Sequence, residues 1–203
     1  MISAPEALER LREGNRRFVA GTPTTPPLSS LERRALALDQ EPFAVILGCA
    51  DSRVPAELVF DQGFGDLFVI RVAGNIVAPS QVGSVEFAAA KFGTKLVVVM
   101  GHQNCGAIVA AVEELLDGAK PESKNLSSIV DRVMPSVKAV IAGNSDKMDR
   151  KSLIREAVRA NVRASVDHLR HGSPLLEKLI KNDGLMIVGA KYSLDTGVVA
   201  FLD

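Results

Sequence analysis

Residues 43–53 of this chain read FAVILGCADSR, and this stretch decides the class of fold. Its first part, Phe43 to Gly48, is a continuous apolar run of strand length that ends in glycine, which is typical of a buried parallel strand. The same arrangement returns at Lys95 to Gly101, KLVVVMG, and a helical pattern follows each run. Strands that alternate with helices predict an α/β fold with a mainly parallel central sheet flanked by helices.

The same alternation continues outward along the chain. Further strands are predicted at Leu67–Val72, Leu185–Val188 and Val198–Phe201, and helices at Pro5–Val19, 29–39, Ser80–Phe92, Cys105–Leu116, Ser127–Ala142, Lys151–Leu169 and Pro174–Lys181, with a short one that has Pro55 in its first turn. The loop Tyr192–Gly197 makes the last two strands a hairpin-like pair. Since no internal repeat and no clear linker is evident, we predict one domain over 1–203, with an N-terminal helical arm at 1–39 and an α/β core at 43–203.

The charge balance argues against several classes of partner. Lys and Arg number 24, as do Asp and Glu, and aromatic residues make up only 4% of the chain. A nucleic-acid-binding protein would show a basic excess with stacking aromatics, and a membrane-surface protein would show a polybasic segment. No apolar run approaches the roughly 20 residues that span a bilayer. We therefore expect neither nucleic acid nor membrane as a partner.

The N-terminus and the cysteine content predict a cytoplasmic protein. Residues 1–6, MISAPE, lack the basic and apolar regions of a secretory signal peptide. Two cysteines are too few for a disulfide scaffold. Cys49 and Cys105 are therefore reduced thiols, metal ligands or a redox pair.

Chemistry-bearing residues follow two of the predicted strands. Cys49 comes directly after the first apolar run, and His102 and Cys105 come directly after Lys95 to Gly101. Because ligands bind at the carboxyl ends of parallel strands, these three side chains converge if the two strands are neighbours. Two thiolates and one imidazole are good zinc ligands, and three protein ligands with an open fourth position are typical of catalytic zinc. Two buried thiols and a structural histidine are the competing interpretation.

Two charged residues share the loop with Cys49. Asp51 and Arg53 form either a surface ion pair of little energetic value or a carboxylate beside the metal that the guanidinium orients. The residues alone leave both interpretations open.

The sequence resembles the β-class carbonic anhydrases. The resemblance rests on Cys49-Ala50-Asp51-Ser52-Arg53 together with His102-x-x-Cys105-Gly106. It extends over essentially the whole chain, through residues 9–18 (ERLREGNRRF), 54–57 (VPAE), 61–68 (DQGFGDLF) and 189–197 (GAKYSLDTG).

This resemblance implies one zinc ion per subunit, bound by Cys49, His102 and Cys105, with water or hydroxide as the fourth ligand. The implied reaction is the reversible hydration of carbon dioxide to bicarbonate and a proton by the zinc-bound hydroxide. Asp51 would accept a hydrogen bond from that hydroxide, and Arg53 would hold Asp51 away from the metal. In closed members of the family the same aspartate replaces the water, and we expect the open form here.

The resemblance also implies a substrate pocket and an assembly. Gln40 matches a glutamine that hydrogen-bonds substrate across a dimer interface, Phe68, Ala73 and Phe87 match positions that line the apolar pocket, and Gly106 supplies a backbone N–H near the substrate. The implied assembly is a homodimer or a dimer of dimers (homotetramer), in which the N-terminal helices cover the partner.

Two further expectations concern regulation and pH. Some members have a noncatalytic bicarbonate site, whose positions here are Ile46, Arg71 and Phe87. Because two of its three usual side chains are missing, we do not expect regulation through this site. Two thiolates formally cancel the charge of the metal and weaken it as a Lewis acid. We therefore expect activity that rises into alkaline pH.

Two alternative functions stay open. A hydrolase of carbon disulfide or carbonyl sulfide would keep every zinc ligand and differ in access to the pocket. A noncatalytic zinc or thiol-redox protein would have no use for Asp51, Arg53 and Gln40, and as a redox protein it would form a Cys49–Cys105 disulfide without zinc.

Overall fold

Five strands form a single sheet in the order β2-β1-β3-β4-β5 in this computed structural model, which describes residues 1–144 and 148–202. The strands are β1 (Ala44–Gly48), β2 (Leu67–Arg71), β3 (Leu96–His102), β4 (Met186–Tyr192) and β5 (Val199–Leu202). The helices are α1 (Ala4–Ala20), α2 (Ser30–Leu36), α3 (Ala56–Val59), α4 (Pro79–Lys91), α5 (Gly106–Asp117), α6 (Lys124–Asn144), α7 (Arg150–His171) and α8 (Pro174–Asn182). Among the described residues, no helix combines the length and the apolar character that crossing a membrane requires.

The strand order confirms the predicted fold class and locates the carboxyl-end crevice. β1 pairs in parallel with both β2 and β3, β3 pairs in parallel with β4, and only the β4–β5 pair is antiparallel. The chain therefore moves from β1 to one neighbour and then returns to the other side of β1. This change of direction is a topological switch point, and it opens a crevice at the carboxyl ends of β1 and β3.

Apolar clusters cover both faces of the sheet. Every residue of β1 is buried, and its side chains alternate between the two faces. Ala44 and Ile46 belong to a cluster that includes residues of α1 and α3, whereas Val45 and Leu47 belong to one that includes residues of α4, α7 and α8. Because both faces are covered, β1 needs apolar residues at every position, which explains the unbroken run in the sequence.

Helix α1 packs on the core of its own chain. Ala7 and Leu11 are fully buried in the cluster that contains β1. One turn further on, a Cβ atom on Gly14 would lie only 1.7 Å from the carbonyl oxygen of Phe60, so glycine permits this close approach. The apolar face of α1 is thus covered within one subunit. In contrast, all residues of α2 are described, and none of their side chains is buried.

Two elements extend furthest beyond their predicted ranges. β4 continues through Gly189 and Ala190 to Tyr192, because it pairs with β3 along its whole length although small residues interrupt its apolar pattern. Gly189 is needed there, since a Cβ atom would lie 2.8 Å from Val162 of α7. The other element is α6, which begins three residues before Ser127 and runs through Pro135.

Candidate metal centre

Three elements bring Cys49, His102 and Cys105 together at the switch point. Cys49 follows the last residue of β1, His102 is the last residue of β3, and Cys105 is the N-cap residue of α5. The parallel register pairs Gly48 with Met100, so the two strands end side by side. The two Sγ atoms and a ring nitrogen of His102 all lie within 4.8 Å of one another, and all three residues are buried. The convergence predicted from the sequence is confirmed.

The turn between His102 and Cys105 has the local conformation that this convergence requires. Asn104 has a φ of 54°, in the left-handed region that asparagine tolerates better than most residues. Cys105 then caps a helix whose first amides have no partners within the helix, and the positive end of the helix dipole favours negative charge at this position.

His102 presents one free nitrogen to the cluster. Its Nδ1 lies 2.9 Å from the carbonyl oxygen of Gln103, and because a carbonyl can only accept, Nδ1 carries the proton. Its Nε2 is buried with no hydrogen-bond partner in the part of the chain that the structure describes. A buried ring nitrogen beside two buried thiols, with the other ring nitrogen held by a carbonyl, is the arrangement of a metal-ligating histidine.

Cys49 and Cys105 share one proton through a hydrogen bond between their side chains. A hydrogen bond with Cys105 lowers the pKa of Cys49 to about 4, although burial by itself would raise it. Conversely, the hydrogen bond with Cys49, burial and the Cys49 charge raise the pKa of Cys105 far above its usual range. Both cysteines are free thiols and are able to ligate a metal once the shared proton is displaced.

Asp51 lies beside the cluster and is held by Arg53. Its Oδ1 accepts hydrogen bonds from the backbone N–H and the Nε of Arg53, at 3.0 and 2.9 Å, and its Oδ2 accepts one from Nη2 at 2.7 Å. The same Oδ2 lies 3.8 Å from the free Nε2 of His102. The Arg53 hydrogen bonds hold the pKa of Asp51 well below its usual range, so it is an anion at neutral pH.

Arg71 also contacts this loop, a role that sequence reasoning missed. At the carboxyl end of β2, its Nε donates to the carbonyl oxygen of Cys49 at 3.0 Å and its Nη2 to that of Asp51 at 2.5 Å. No sequence signal shows this contact, because it depends on the parallel register that pairs Arg71 with Gly48 and so ends β2 beside the ligand loop. From the sequence, Arg71 is expected only at one position of a noncatalytic bicarbonate site.

Comparisons with known proteins agree with this site and fold. A family model described as carbonic anhydrase matches residues 44–199. The chain is 42% identical over 197 residues to carbonic anhydrase 2 of Mycobacterium tuberculosis, and the alignment covers 97% of this chain and 92% of that protein. It is 38% identical to a carbonic anhydrase of Mycolicibacterium smegmatis, over 95% of this chain and 90% of that protein. In fold it resembles the β-carbonic anhydrase CafA of Aspergillus fumigatus, with a TM-score of 0.77, 23% identity and coverage of 98% and 90% of the two chains.

The chain belongs to the β-carbonic anhydrase family. The match covers both motifs that carry the resemblance in the sequence, at Cys49 to Arg53 and at His102 to Gly106.

The positions predicted to line the substrate pocket fall into two groups in one subunit. Ala73 and Gly106 line the same cavity of about 420 Å³, next to Ala107 of α5. Phe68, in contrast, packs in the cluster under α4, whereas Cys49 and Cys105 pack in the cluster under α5 and α6.

The two phenylalanines form part of an aromatic group with Phe92. Ring centroids lie 6.3 Å apart for Phe68 and Phe87, 6.1 Å for Phe68 and Phe92, and 5.5 Å for Phe87 and Phe92. Phe87 is nevertheless 52% exposed in the single chain. Gln40, in the loop before β1, is also exposed. Their roles in substrate binding stay predictions.

Proposed function

We propose that this chain catalyses the reversible hydration of carbon dioxide to bicarbonate and a proton, with one zinc ion per subunit held by Cys49, His102 and Cys105. The observation that carries the proposal is the free Nε2 of His102, buried within 4.8 Å of two thiols. A buried imidazole nitrogen without a partner is costly, and a metal ion removes that cost. Zinc is also the metal that this mixed set of thiolates and imidazole suits best.

A zinc ion at this site would supply Lewis acidity, which makes a water molecule nucleophilic, and the two thiolates would shift this ionisation toward alkaline pH. The residues of the chain orient the reactants. Asp51 accepts a hydrogen bond from the attacking oxygen and so directs its lone pair toward the carbon of the substrate. Arg53 engages both oxygens of Asp51 and limits its approach to the metal, which supports an open site. The backbone N–H of Gly106, at the start of α5, favours the negative charge of bicarbonate.

A second copy of the chain completes the pocket in this proposal. Gln40 and Phe87 are exposed in a single subunit, as expected of residues that face a partner. We infer a homodimer in which Gln40 of one subunit reaches the substrate of the other, with pairing of dimers into a tetramer as the further possibility. Because both ligand cysteines must remain reduced, the proposal also favours a reducing compartment such as the cytoplasm.

The test combines zinc analysis with stopped-flow carbon dioxide hydration between about pH 7 and 9. We expect close to one zinc per chain and turnover that rises with pH. Cys105→Ser should lose zinc and activity together, because serine is a poor zinc ligand. Full zinc occupancy in that variant would refute the ligand assignment.

Turnover assays with the sulfur substrates and analysis of the native protein for a disulfide separate the alternative functions. Faster turnover of carbon disulfide or carbonyl sulfide than of carbon dioxide would identify a hydrolase on this scaffold. A native protein without zinc and with a Cys49–Cys105 disulfide would identify a thiol-redox protein. Either result would overturn the proposed function.

A further inference from the structure

Gln103, between the ligands His102 and Cys105, connects the metal centre to the C-terminal hairpin. Its carbonyl oxygen accepts a hydrogen bond from Nδ1 of His102 at 2.9 Å, and its backbone N–H donates to the carbonyl of Tyr192 at 3.0 Å. Its side-chain Nε2 donates to Oδ2 of Asp195 at 2.6 Å, and its Oε1 lies 3.4 Å from the Ser193 hydroxyl. Thus the residue that orients His102 through its carbonyl is itself held at both its backbone and its side chain.

The loop that holds Gln103 is anchored on its other side. Asn15 of α1 donates to the carbonyl of Gly197 at 2.9 Å and accepts from the N–H of Val199 at 2.8 Å. Asn15 is buried, and a Cβ atom on Gly197 would lie 3.1 Å from the ring of Phe18. The loop between β4 and β5 is therefore fixed to α1, so Asp195 offers Gln103 a defined partner.

We propose that the side-chain pair Gln103–Asp195 positions His102 for zinc and slows loss of the metal. This inference rests on the proposed function, since it takes His102 as a zinc ligand. The carbonyl of Gln103 sets the plane of the imidazole ring, and the turn that carries it contains Asn104 in the left-handed region. Fixing the Gln103 side chain to Asp195 restricts rotation of that turn. The hydrogen bond is short and its acceptor is charged, which makes it stronger than a neutral one.

Neither Gln103 nor Asp195 touches substrate in this proposal, so both are positioning residues. Groups that hydrogen-bond a ligating histidine directly typically change metal affinity by about 10- to 100-fold when they are removed. The carbonyl of Gln103 remains in every variant, and only its support is lost. We therefore expect a smaller effect, about 3- to 10-fold faster loss of zinc.

The test measures the rate of zinc transfer from the purified holoenzyme to an excess of EDTA. The variants are Asp195→Ala, which removes the acceptor, Gln103→Met, which removes the side-chain partner at similar volume, and their combination. Asp195→Asn retains an acceptor oxygen without the charge. Asp183→Ala is the matched control, because Asp183 is an exposed aspartate just before β4 whereas Asp195 follows it. Thermal unfolding of each holoenzyme checks that the variants fold.

The expected result is faster zinc loss in Asp195→Ala and Gln103→Met, no further acceleration in the double variant, a rate between those of wild type and Asp195→Ala in Asp195→Asn, and the wild-type rate in Asp183→Ala. In the cobalt-substituted protein, the two fast variants should also change the visible absorption of the metal. Wild-type rates in both single variants, or additive effects in the double variant, would overturn the pairing. A wild-type protein that binds no zinc would overturn the proposed function itself, a result distinct from unchanged rates in a zinc-loaded protein.

Discussion

The carboxylate of Asp51 accepts hydrogen bonds from Arg53, which lies two positions further along the same loop. All of its described side-chain hydrogen bonds come from Arg53. In the open site that we propose, Asp51 acts on the substrate without ligating zinc. In a closed site it would be a fourth ligand, so the two forms predict different outcomes for its substitution.

Asp51→Asn should therefore retain zinc and lose most carbon dioxide hydration, by about 100-fold or more in kcat. The amide is similar in size but is neutral, and it accepts at only one of its two terminal atoms. Zinc content and stopped-flow turnover are measured on the same sample. Reduced zinc content would indicate a closed site, and near wild-type turnover would exclude the proposed role of Asp51.

Arg71 holds the same loop from a neighbouring strand. Arg71→Met removes the donors to the carbonyls of Cys49 and Asp51 and should lower kcat/KM by about tenfold, with faster zinc loss. Arg71→Lys keeps the charge but has one donor group in place of a planar fork, so it should recover only part of that loss. If kcat/KM and zinc loss were unchanged in Arg71→Met, the contacts would have no role in positioning.

At the scale of elements, a buried carboxylate fixes the loop that follows α1. Oδ2 of Asp61 accepts from Nε of Arg17 at 2.5 Å, and the Asp61 carboxylate also accepts from the backbone N–H groups of Thr24 and Thr25. Burial by itself would raise the pKa of Asp61, but these hydrogen bonds together hold it well below its ordinary value of 3.8. Asp61 thus joins α1, the loop after it and the turn after α3.

This carboxylate should make stability depend on pH. Because the folded-state pKa is depressed, the stabilisation is complete above the unfolded-state value of 3.8 and is lost as pH falls below it toward the folded-state value. Asp61→Asn should lower the free energy of unfolding by about 1–3 kcal/mol at pH 6 and by less at pH 3. Urea unfolding at both pH values measures this, with Asp183→Asn as an exposed control. A difference that stays constant between pH 6 and pH 3 would contradict the assignment.

At the scale of the whole molecule, one subunit leaves several large apolar side chains exposed. Leu31 of α2 is 77% exposed and Leu38, just after α2, is 89% exposed. Leu58 of α3 is 65% exposed, Phe64 in the turn after α3 is 74% exposed, and Phe87 of α4 is 52% exposed. Burial of such residues in a second copy is favourable at about 25 cal/mol for each Å² of apolar surface. The proposed dimer therefore has an energetic basis as well as a catalytic one.

We expect light scattering to give at least twice the mass of one chain. Phe87→Glu should shift the protein toward monomer and lower carbon dioxide hydration while zinc stays bound, because the ligands all come from one subunit. Leu116→Glu, at a residue of α5 with a similar exposure of 51%, is the control. A fully active monomer would exclude any contribution of a partner to the site.

Much of the fold could be predicted because it depends on local patterns. Both faces of β1 and β3 are covered, so these strands appear as unbroken apolar runs, and Ser29 with Glu32 forms a capping box at the start of α2, a local signal that lies within the predicted helix. The full length of β4 could not be predicted. Its second half contains Gly189, whose role is to let α7 approach, and that requirement depends on a helix far away in the sequence.

The sequence by itself determined the chemistry of the site: two thiols, an imidazole and an Asp51–Arg53 pair only two residues apart. Only the tertiary structure decided that β1 and β3 lie side by side, that Arg71 holds the Cys49 loop and that Asp195 holds Gln103. The physical reason is the range of the interactions. Contacts within a loop or a helical turn are set by the spacing of a few residues, whereas strand order and contacts between residues 22 and 92 positions apart depend on packing of the whole chain.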